Sequence, residues 1–208
     1  MIDQLKYQIE NNLPGESAHL EMSPLGRGKS SDALKKADVV KESAVAVHLV
    51  NNDGKYEILL TKRADYKGTH GGQISFPGGK KEEADENLLE TARRESEEET
   101  ALPKINGEFI GLLTPIFIPV SGFRVSPFVI YHDTPLTGLN TDSHEVEEIF
   151  MFPISNLLSE ETIKRVDIPI TKEFTLKNVP CYEYEGRIIW GATAIILSEL
   201  KEILKRIS

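Results

Sequence analysis

Hydrophobic and polar residues alternate along much of the chain in a pattern that predicts β-strands. The Val-rich segment Ser43–Asn51 and the segment Tyr56–Thr61 are separated by an Asn-Asp-Gly turn, which predicts a β-hairpin. Further extended segments or strands are expected at Gln73–Phe76, Phe109–Leu113, Arg124–Tyr131, Glu148–Met151, Ile168–Leu176 and Pro180–Tyr184.

Helical spacing of apolar residues appears in three other segments. Leu5 and Ile9 stand one turn apart within Ile2–Asn12. Asn87–Thr100 is predicted to be a helix that Pro103 stops, and Ala192–Ile207 has the pattern of an amphipathic helix. Strands combined with two principal helices predict an α+β sandwich, with a mixed sheet flanked by helices.

The N-terminal region has a different composition. Glu16–Lys41 is polar, with scattered Gly, Pro and Ser residues, and it predicts an irregular arm with one short helix at Ser31–Lys36. Residues 1–12 show neither the basic region nor the apolar stretch of a secretory signal, so none is expected.

Composition narrows the possible functions. The 208 residues can bury a core as one domain, and a net charge of −9 argues against nonspecific binding to nucleic acid or membrane surfaces. The single cysteine, Cys181, excludes an internal disulfide framework and a Cys-rich zinc site. We therefore expect a cytoplasmic protein with a small-molecule ligand.

The predicted helix Asn87–Thr100 carries three carboxylates on one side. Glu95, Glu98 and Glu99 stand at positions i, i+3 and i+4. Their mutual repulsion raises each other's pKa unless a cation lies between them. Acidic runs on helices are commonly solvated faces; the alternative is a site for a hard divalent cation with oxygen ligands, Mg²⁺ or Mn²⁺.

The spacing around these glutamates resembles the Nudix box, G-x5-E-x7-R-E-U-x-E-E-x-G-U, in which U is aliphatic. The matching positions are Gly79, Arg94-Glu95 and Glu98–Leu102. The gap between Gly79 and Arg94 is one residue longer than in the standard box, and this leaves the first acidic position open between Asp85 and Glu86.

Two residues inside the box also depart from its pattern. Ser96 stands where the box has its first aliphatic residue, and Ala101 stands where it has its late glycine.

The residues before the box resemble one branch of the Nudix hydrolases, the coenzyme A pyrophosphatases. Their signature, LLTxR[SA]-x3-R-x3-G-x3-FPGG, is matched by Leu59–Ala64, Gly72 and Phe76–Gly79, and the branch shares the longer gap. Its second Arg is replaced here by Gly68. The resemblance extends from Ser43 to the C-terminus, so we expect an N-terminal arm of residues 1–42 and a Nudix domain of residues 43–208.

This resemblance implies a Nudix-type α/β/α sandwich that uses Mg²⁺ or Mn²⁺ to hydrolyse coenzyme A, or its derivatives, to phosphopantetheine and 3′,5′-ADP. Hydrolysis of another nucleoside diphosphate derivative, such as ADP-ribose or a dinucleotide, is the alternative, followed by a non-catalytic nucleotide-binding module. The implied metal ligands are Glu95, Glu98, Glu99 and the Gly79 carbonyl. Arg94 is expected to anchor the loop through Asp85 or Glu86. A homodimer is also compatible with the resemblance.

Substrate-binding and proton-transfer roles are assigned less uniquely. Arg63 at a strand end is expected to clamp phosphate, with Lys67 or His70 assisting from the loop. His48 and His132 are expected to be structural. The candidates for the general base are a box glutamate and three later acids, Glu145, Glu147 and Glu148.

Overall fold

The structure is a computed structural model that describes residues 1–64, 72–141, 145–171 and 173–207. Its helices are α1 (Ile2–Asn11), α2 (Glu16–His19), α3 (Ser30–Leu34), α4 (Leu88–Thr100), α5 (Ile154–Leu158) and α6 (Gly191–Ile207). Its strands are β1 (Lys41–Asn52), β2 (Lys55–Arg63), β3 (Ile74–Ser75), β4 (Gly78–Lys80), β5 (Glu108–Leu112), β6 (Ile116–Ile118), β7 (Phe123–His132), β8 (Val146–Pro153), β9 (Ile163–Pro169), β10 (Thr175–Tyr184) and β11 (Arg187–Trp190).

Strand β1 lies at the centre of a mixed eight-stranded sheet. It pairs antiparallel with β2 and β4 and parallel with β7. Strands β5 and β6 pair with β7, and β3 and β8 pair with β2. The β1–β2 pairing confirms the hairpin that the Asn-Asp-Gly turn predicted.

Alternating side chains of β1 face two different hydrophobic layers. Ala44 and Ala46 belong to the layer under α4, together with Ala92 of that helix. Val47 and Leu49 point into the larger core that α6 covers on the opposite face. A mixed sheet between helices is therefore observed, and the predicted sandwich is confirmed.

The N-terminal segment packs against the same large core. Leu5 of α1 is fully buried, and Ile9 lies so close to Gly111 of β5 that any side chain at Gly111 would overlap it. Buried Glu199 of α6 accepts a hydrogen bond from the Gly15 amide at 3.0 Å. The segment is thus held to α6 and β5, while the domain division after residue 42 stays a prediction.

Strands β9, β10 and β11 form a second, antiparallel sheet that the sequence pattern did not predict. The predicted strand Ile168–Leu176 is wrong, because the chain turns back between β9 and β10. Within this turn the Thr171 hydroxyl oxygen accepts hydrogen bonds from the amides of Glu173 and Phe174. A Thr side chain that binds the following amides favours a turn over a continuous strand.

Two strands also differ from the sequence-based prediction. Strand β6 lies between Pro115 and Pro119, a segment expected only to separate strands, and β8 is longer than predicted. In the described residues, none of the helices combines the length and the apolar character that crossing a bilayer demands.

Candidate active site

Helix α4 begins and ends with recognisable caps. The Asn87 side chain accepts hydrogen bonds from the amides of Leu89 and Glu90 at 2.9 and 3.0 Å, satisfying two donors of the first turn. At the other end Ala101 adopts a left-handed conformation with φ of 58°. This is the position where the Nudix box has glycine, which adopts that conformation without a Cβ clash.

Arg94 and Asp85 form a two-pronged ion pair. Arg94 donates from Nε to Asp85 Oδ1 at 2.9 Å and from Nη2 to Oδ2 at 3.1 Å. Asp85 also accepts from the Glu82 amide and the Thr91 hydroxyl. The hydrogen bonds from Arg94 hold the pKa of Asp85 well below its usual range. Glu86 is exposed, so Asp85 occupies the acidic position that the sequence left open.

The same guanidinium contacts two of the box glutamates. Arg94 Nη1 lies 2.9 Å from Glu95 Oε1 and donates to Glu98 Oε2 at 3.1 Å. Its Nη2 also donates to the Lys80 carbonyl at 3.1 Å. Arg94 therefore ties the loop before α4 to the acidic side of the helix.

Glu99 is the most buried box glutamate and faces two different segments. It is 4% exposed and accepts a hydrogen bond from the Gly78 amide at 3.2 Å. Arg63 Nη1 lies 3.6 Å from its other carboxylate oxygen. Burial raises the pKa of Glu99 to about 7 in spite of the nearby Arg63 charge, and burial also raises the pKa of Glu95.

The Gly-Gly turn allows strand β4 to lie between β1 and α4. A Cβ atom at Gly78 would overlap the β1 backbone at Ala44 and Val45, and one at Gly79 would overlap the Glu95 carboxylate. The Ala46 amide donates to the Pro77 carbonyl at 2.8 Å, which holds the turn on β1. Glycine at these positions thus permits the close approach of backbone and carboxylate.

The three later acids point to different partners. Glu145 accepts a hydrogen bond from Arg63 Nη2 at 3.0 Å, and its charge contributes, after burial, to the raised pKa values of Glu95 and Glu99. Glu147 instead pairs with Lys62 at 2.8 Å, and Glu148 pairs with Arg187 at 2.5 Å. Glu145 is therefore the acid of this group that lies beside the box.

Two predicted substrate-binding residues, Lys67 and His70, fall outside the described residues. Arg63 is described and lies between Glu99 and Glu145. The structure therefore brings together Arg63, Glu145, Arg94 and the box glutamates, together with the Gly-Gly turn.

The oxygen donors of this cluster suit a hard divalent cation. Glu95 and Glu99 are carboxylates whose pKa values burial raises, so a nearby positive charge stabilises their ionised forms. Across the described ranges, however, no group of three or more His, Cys, Asp or Glu residues is arranged around one metal position. The Glu98 side chain is 57% exposed and binds Arg94.

A buried hydrogen-bonded chain beneath α4 had no signal in the sequence. Ser96 Oγ lies 2.6 Å from His48 Nε2, and His48 Nδ1 lies 2.9 Å from His132 Nε2. This arrangement gives Ser96, the departure from the aliphatic position of the box, a polar partner. The partners lie 48 and 84 residues apart in sequence, so only the fold brings them together.

Fold and site together define an α/β/α sandwich protein with a carboxylate-bearing helix held against a glycine turn. A family model described as the NUDIX domain matches residues 40–174. The chain belongs to the Nudix family. Nudix hydrolases generally use divalent metal ions and bind small nucleotide substrates.

Relatives support the family and the fold. The chain is 37% identical over 147 residues to an uncharacterized Nudix hydrolase, NudL, of Yersinia pestis (strain Pestoides F), covering 70% of this chain and 71% of the relative. The NudL protein of Yersinia pseudotuberculosis serotype O:1b (strain IP 31758) matches to the same extent, with 37% identity over 147 residues. Together with the family match, these relatives confirm the prediction of an enzyme of the pyrophosphohydrolase class.

Among solved structures, the MutT protein from Methanosarcina mazei Go1 has a TM-score of 0.52 and 19% identity, covering 82% of this chain and 99% of that protein. At this level of identity, the similarity supports the fold alone.

Proposed function

We propose that this chain hydrolyses the pyrophosphate bond of coenzyme A or its derivatives, giving phosphopantetheine and 3′,5′-ADP, with Mg²⁺ or Mn²⁺ as cofactor. One observation carries the proposal. Arg63 comes from the first segment that resembles the coenzyme A branch, Gly78 comes from the second, and both contact Glu99 of the box. Two residues from the segments that indicate the substrate, Arg63 and Gly78, thus contact a glutamate of the box that indicates the chemistry.

Backbone pairing explains why these segments meet. The Arg63 amide donates to the Gln73 carbonyl at 2.9 Å, and Thr61 of β2 pairs with Ser75 of β3. Strand β3 leads directly into the Gly-Gly turn. The end of β2 and the turn therefore form one rim beside the acidic side of α4.

Residues of this rim and of α4 have separate roles in the proposed reaction. Glu95, Glu98 and Glu99, with the Gly79 carbonyl, are the groups that would hold the metal. A bound divalent cation supplies charge neutralisation at the phosphates and a lower pKa for bound water. Arg63 offers a planar guanidinium to a phosphate group.

Proton transfer is assigned to Glu145. A general base must reach the attacking water, directly or through a second water, and must be ionised at neutral pH. Glu145 is exposed, its side chain lies beside Arg63, and its carboxylate affects the pKa values of Glu95 and Glu99. In the proposed reaction it takes one proton from the water that attacks a phosphorus atom, and the P–O bond of the pyrophosphate bridge breaks.

A second substrate class has one specific observation in its favour. Gly68 stands where the coenzyme A branch has its second Arg, a residue suited to a phosphate such as the 3′-phosphate of coenzyme A. Substrates without this phosphate, such as ADP-ribose or a dinucleotide, would not need that residue. A non-catalytic module is disfavoured, because all three box glutamates are present.

Product identification tests the proposal. The purified protein with Mg²⁺ or Mn²⁺ is incubated in ¹⁸O-labelled water with coenzyme A, dephospho-coenzyme A or ADP-ribose, and the products are weighed by mass spectrometry. Release of 3′,5′-ADP from coenzyme A at a higher kcat/KM than cleavage of the other two substrates supports the proposal. Preference for ADP-ribose or dephospho-coenzyme A overturns the substrate assignment. The Glu98→Gln variant is the control for contaminating activity.

A further inference from the structure

We propose that the hydrogen-bonded chain His132–His48–Ser96 is a positioning device, which fixes α4 on the sheet and thereby sets the metal-binding geometry of Glu95 and Glu99. The inference rests on the proposed function in so far as these glutamates hold a metal. It concerns residues that touch neither substrate nor metal, and it assigns them a role beyond packing.

All three members of the chain are buried, and each comes from a different element. Ser96 of α4 is 2% exposed, His48 of β1 is 2% exposed and His132 of β7 is 5% exposed. The contacts of 2.6 Å and 2.9 Å link the helix to the central strand and that strand to its parallel neighbour. A polar connection thus runs across the layer between helix and sheet.

The apolar contacts of this layer are non-directional. Ala92 of the helix belongs to one cluster with Ala44, Ala46, Phe128 and Ile130, against which Leu88 and Leu89 also pack. A shift of α4 by one residue moves each side chain by about 1.5 Å along the axis and about 100° around it. The directional hydrogen bond of Ser96 to His48 distinguishes between such positions.

Ser96 is also well placed to transmit this constraint. It follows Glu95 directly and precedes Glu99 by three residues, so each of the two carboxylates lies within one helical turn of Ser96. The Ser96 carbonyl accepts a hydrogen bond from the Thr100 hydroxyl at 2.6 Å, next to Glu99. A displacement at Ser96 therefore moves both glutamates relative to the Gly-Gly turn.

The His132 end of the hydrogen-bonded chain is held by the loop that follows α4. A Cβ atom at Gly107 would come within 2.6 Å of His132 Cε1, so this loop lies directly against the ring. Arg93 of α4 donates to the carbonyls of Lys104 and Gly107 at 2.6 and 3.4 Å. The connection from α4 through the loop and the two histidines returns to α4 at Ser96.

Neutral rings give this chain a consistent set of donors. If the Ser96 hydroxyl donates to His48 Nε2, then the proton on His48 Nδ1 is donated to His132 Nε2; the reverse direction is equally consistent. An aliphatic residue at position 96 would leave a buried ring nitrogen of His48 without this partner. Buried polar groups without partners are unfavourable, so the serine and the histidines are required together.

The test compares Ser96→Ala with Ser96→Thr, which keeps the hydroxyl, and with Ser198→Ala. Ser198 is a 1% exposed serine of α6 whose hydroxyl donates to the Ala18 and Ile195 carbonyls, so its removal deletes a buried hydrogen bond far from the chain. Mn²⁺ affinity is measured on substrate-free protein by electron paramagnetic resonance. Urea unfolding is measured in parallel.

We expect Ser96→Ala to weaken Mn²⁺ binding about 10-fold or more, as found for residues that orient metal ligands. Ser96→Thr has the wild-type Mn²⁺ affinity, because it keeps the hydroxyl. Ser198→Ala lowers the stability to urea without changing the Mn²⁺ affinity. If Ser96→Ala does not fold, His48→Gln is measured instead with the same expectation. Wild-type affinity in the folded Ser96→Ala or His48→Gln variant, or equal weakening by Ser198→Ala, overturns the inference.

Because Mn²⁺ binding is read without substrate, the two proposals fail separately. A wild-type protein that binds Mn²⁺ and does not cleave coenzyme A overturns the proposed substrate and leaves the positioning role intact. Absence of Mn²⁺ binding by the wild-type protein overturns the positioning role.

Discussion

Arg94 and Asp85 meet through two parallel hydrogen bonds of 2.9 and 3.1 Å, the fork geometry in which a guanidinium binds a carboxylate most specifically. Their side chains are only 12% and 5% exposed. The longer gap between Gly79 and Arg94 is therefore closed by a rigid, largely buried contact. Arg94 is held by Asp85 while it also contacts the Glu95 and Glu98 carboxylates.

Removal of Asp85 is expected to destabilise the protein and reduce its activity. Asp85→Ala leaves the partly buried Arg94 charge without its principal partner, and breaking such a pair costs about 3 kcal/mol or more. Urea unfolding and coenzyme A hydrolysis measure the two effects. Glu86→Ala is the matched control, since Glu86 is exposed, and it should change stability by less than about 0.5 kcal/mol. Equal effects of the two variants would contradict the assignment of the first acidic position to Asp85.

Replacing Ala101 by glycine should stabilise the protein. Ala101 has φ of 58° at the C-terminal cap of α4, a conformation in which a Cβ atom costs about 1 kcal/mol. Ala101→Gly relieves this cost, partly offset by the greater freedom of glycine in the unfolded chain, so a gain of about 0.5 kcal/mol is expected. Thermal and urea unfolding measure it. A loss of stability would show that the Ala101 side chain makes a compensating contact.

Local patterns predicted α4 and its acidic side well, because all the relevant residues belong to one short segment. The helix, its carboxylates and the Gly-Gly turn lie between residues 78 and 100. The hairpin β1–β2 was also predictable from its turn. Long-range features were not: the His48–Ser96 contact depends on how α4 packs on β1, and periodicity carries no information about it.

The sequence also did not predict which of the later acids lies beside the box glutamates. The pairing of β2 with β8 changes register between Lys62 and Arg63, where Lys62 pairs with Glu148 and Arg63 with Val146. An irregularity of this kind redirects side chains at a strand end. It brings Glu145 to Arg63, and no spacing rule in the sequence predicts it.

Substitution of the later acids one at a time tests the role of Glu145. Glu145→Gln should lower kcat by about 100-fold or more, as expected for loss of a general base. Glu147→Gln and Glu148→Gln are the controls, since these acids pair with Lys62 and Arg187 instead of Arg63. Steady-state kinetics with coenzyme A give the comparison. If Glu145→Gln retains the wild-type kcat, a box glutamate becomes the candidate base.

The buried histidines should make stability depend on pH in a defined window. Burial lowers the pKa of His48 to about 3 and that of His132 to about 4, with nearby Arg93 adding to both shifts. In the unfolded chain a histidine titrates near pH 6.5. Between about pH 6.5 and pH 4 the unfolded state therefore binds more protons, and the free energy of unfolding falls as the pH is lowered.

Urea unfolding from about pH 7 to about pH 5 measures this dependence. The titration of Glu99 changes the free energy of unfolding with pH in the direction opposite to that of the histidines. The measurement is therefore made in the Glu99→Gln variant. Adding His132→Asn to that variant should reduce the slope, because one of the two histidine titrations is removed. An unchanged slope would show that His132 does not contribute.

The buried Glu99 carboxylate, a proposed metal ligand, should lower the stability of the metal-free protein. Burial raises its pKa to about 7 from an ordinary value of 4.5, so the folded state binds more protons than the unfolded state between these values. The metal-free protein therefore loses stability as the pH rises through about 7. At about pH 8, Glu99→Gln should raise the free energy of unfolding by about 1 to 3 kcal/mol, since the buried charge is removed.

The same variant should lose turnover, and added Mn²⁺ should stabilise it less than the wild-type protein, because at a given concentration a ligand that binds more weakly stabilises the folded state less. Gln keeps an oxygen that can accept the hydrogen bond from the Gly78 amide, so the turn stays in place. Urea unfolding with and without Mn²⁺, together with coenzyme A hydrolysis, separates the two effects. A Glu99→Gln variant that is less stable than the wild-type protein at about pH 8 would show that the carboxylate is already compensated without metal, and one that keeps full turnover would remove Glu99 from the metal site.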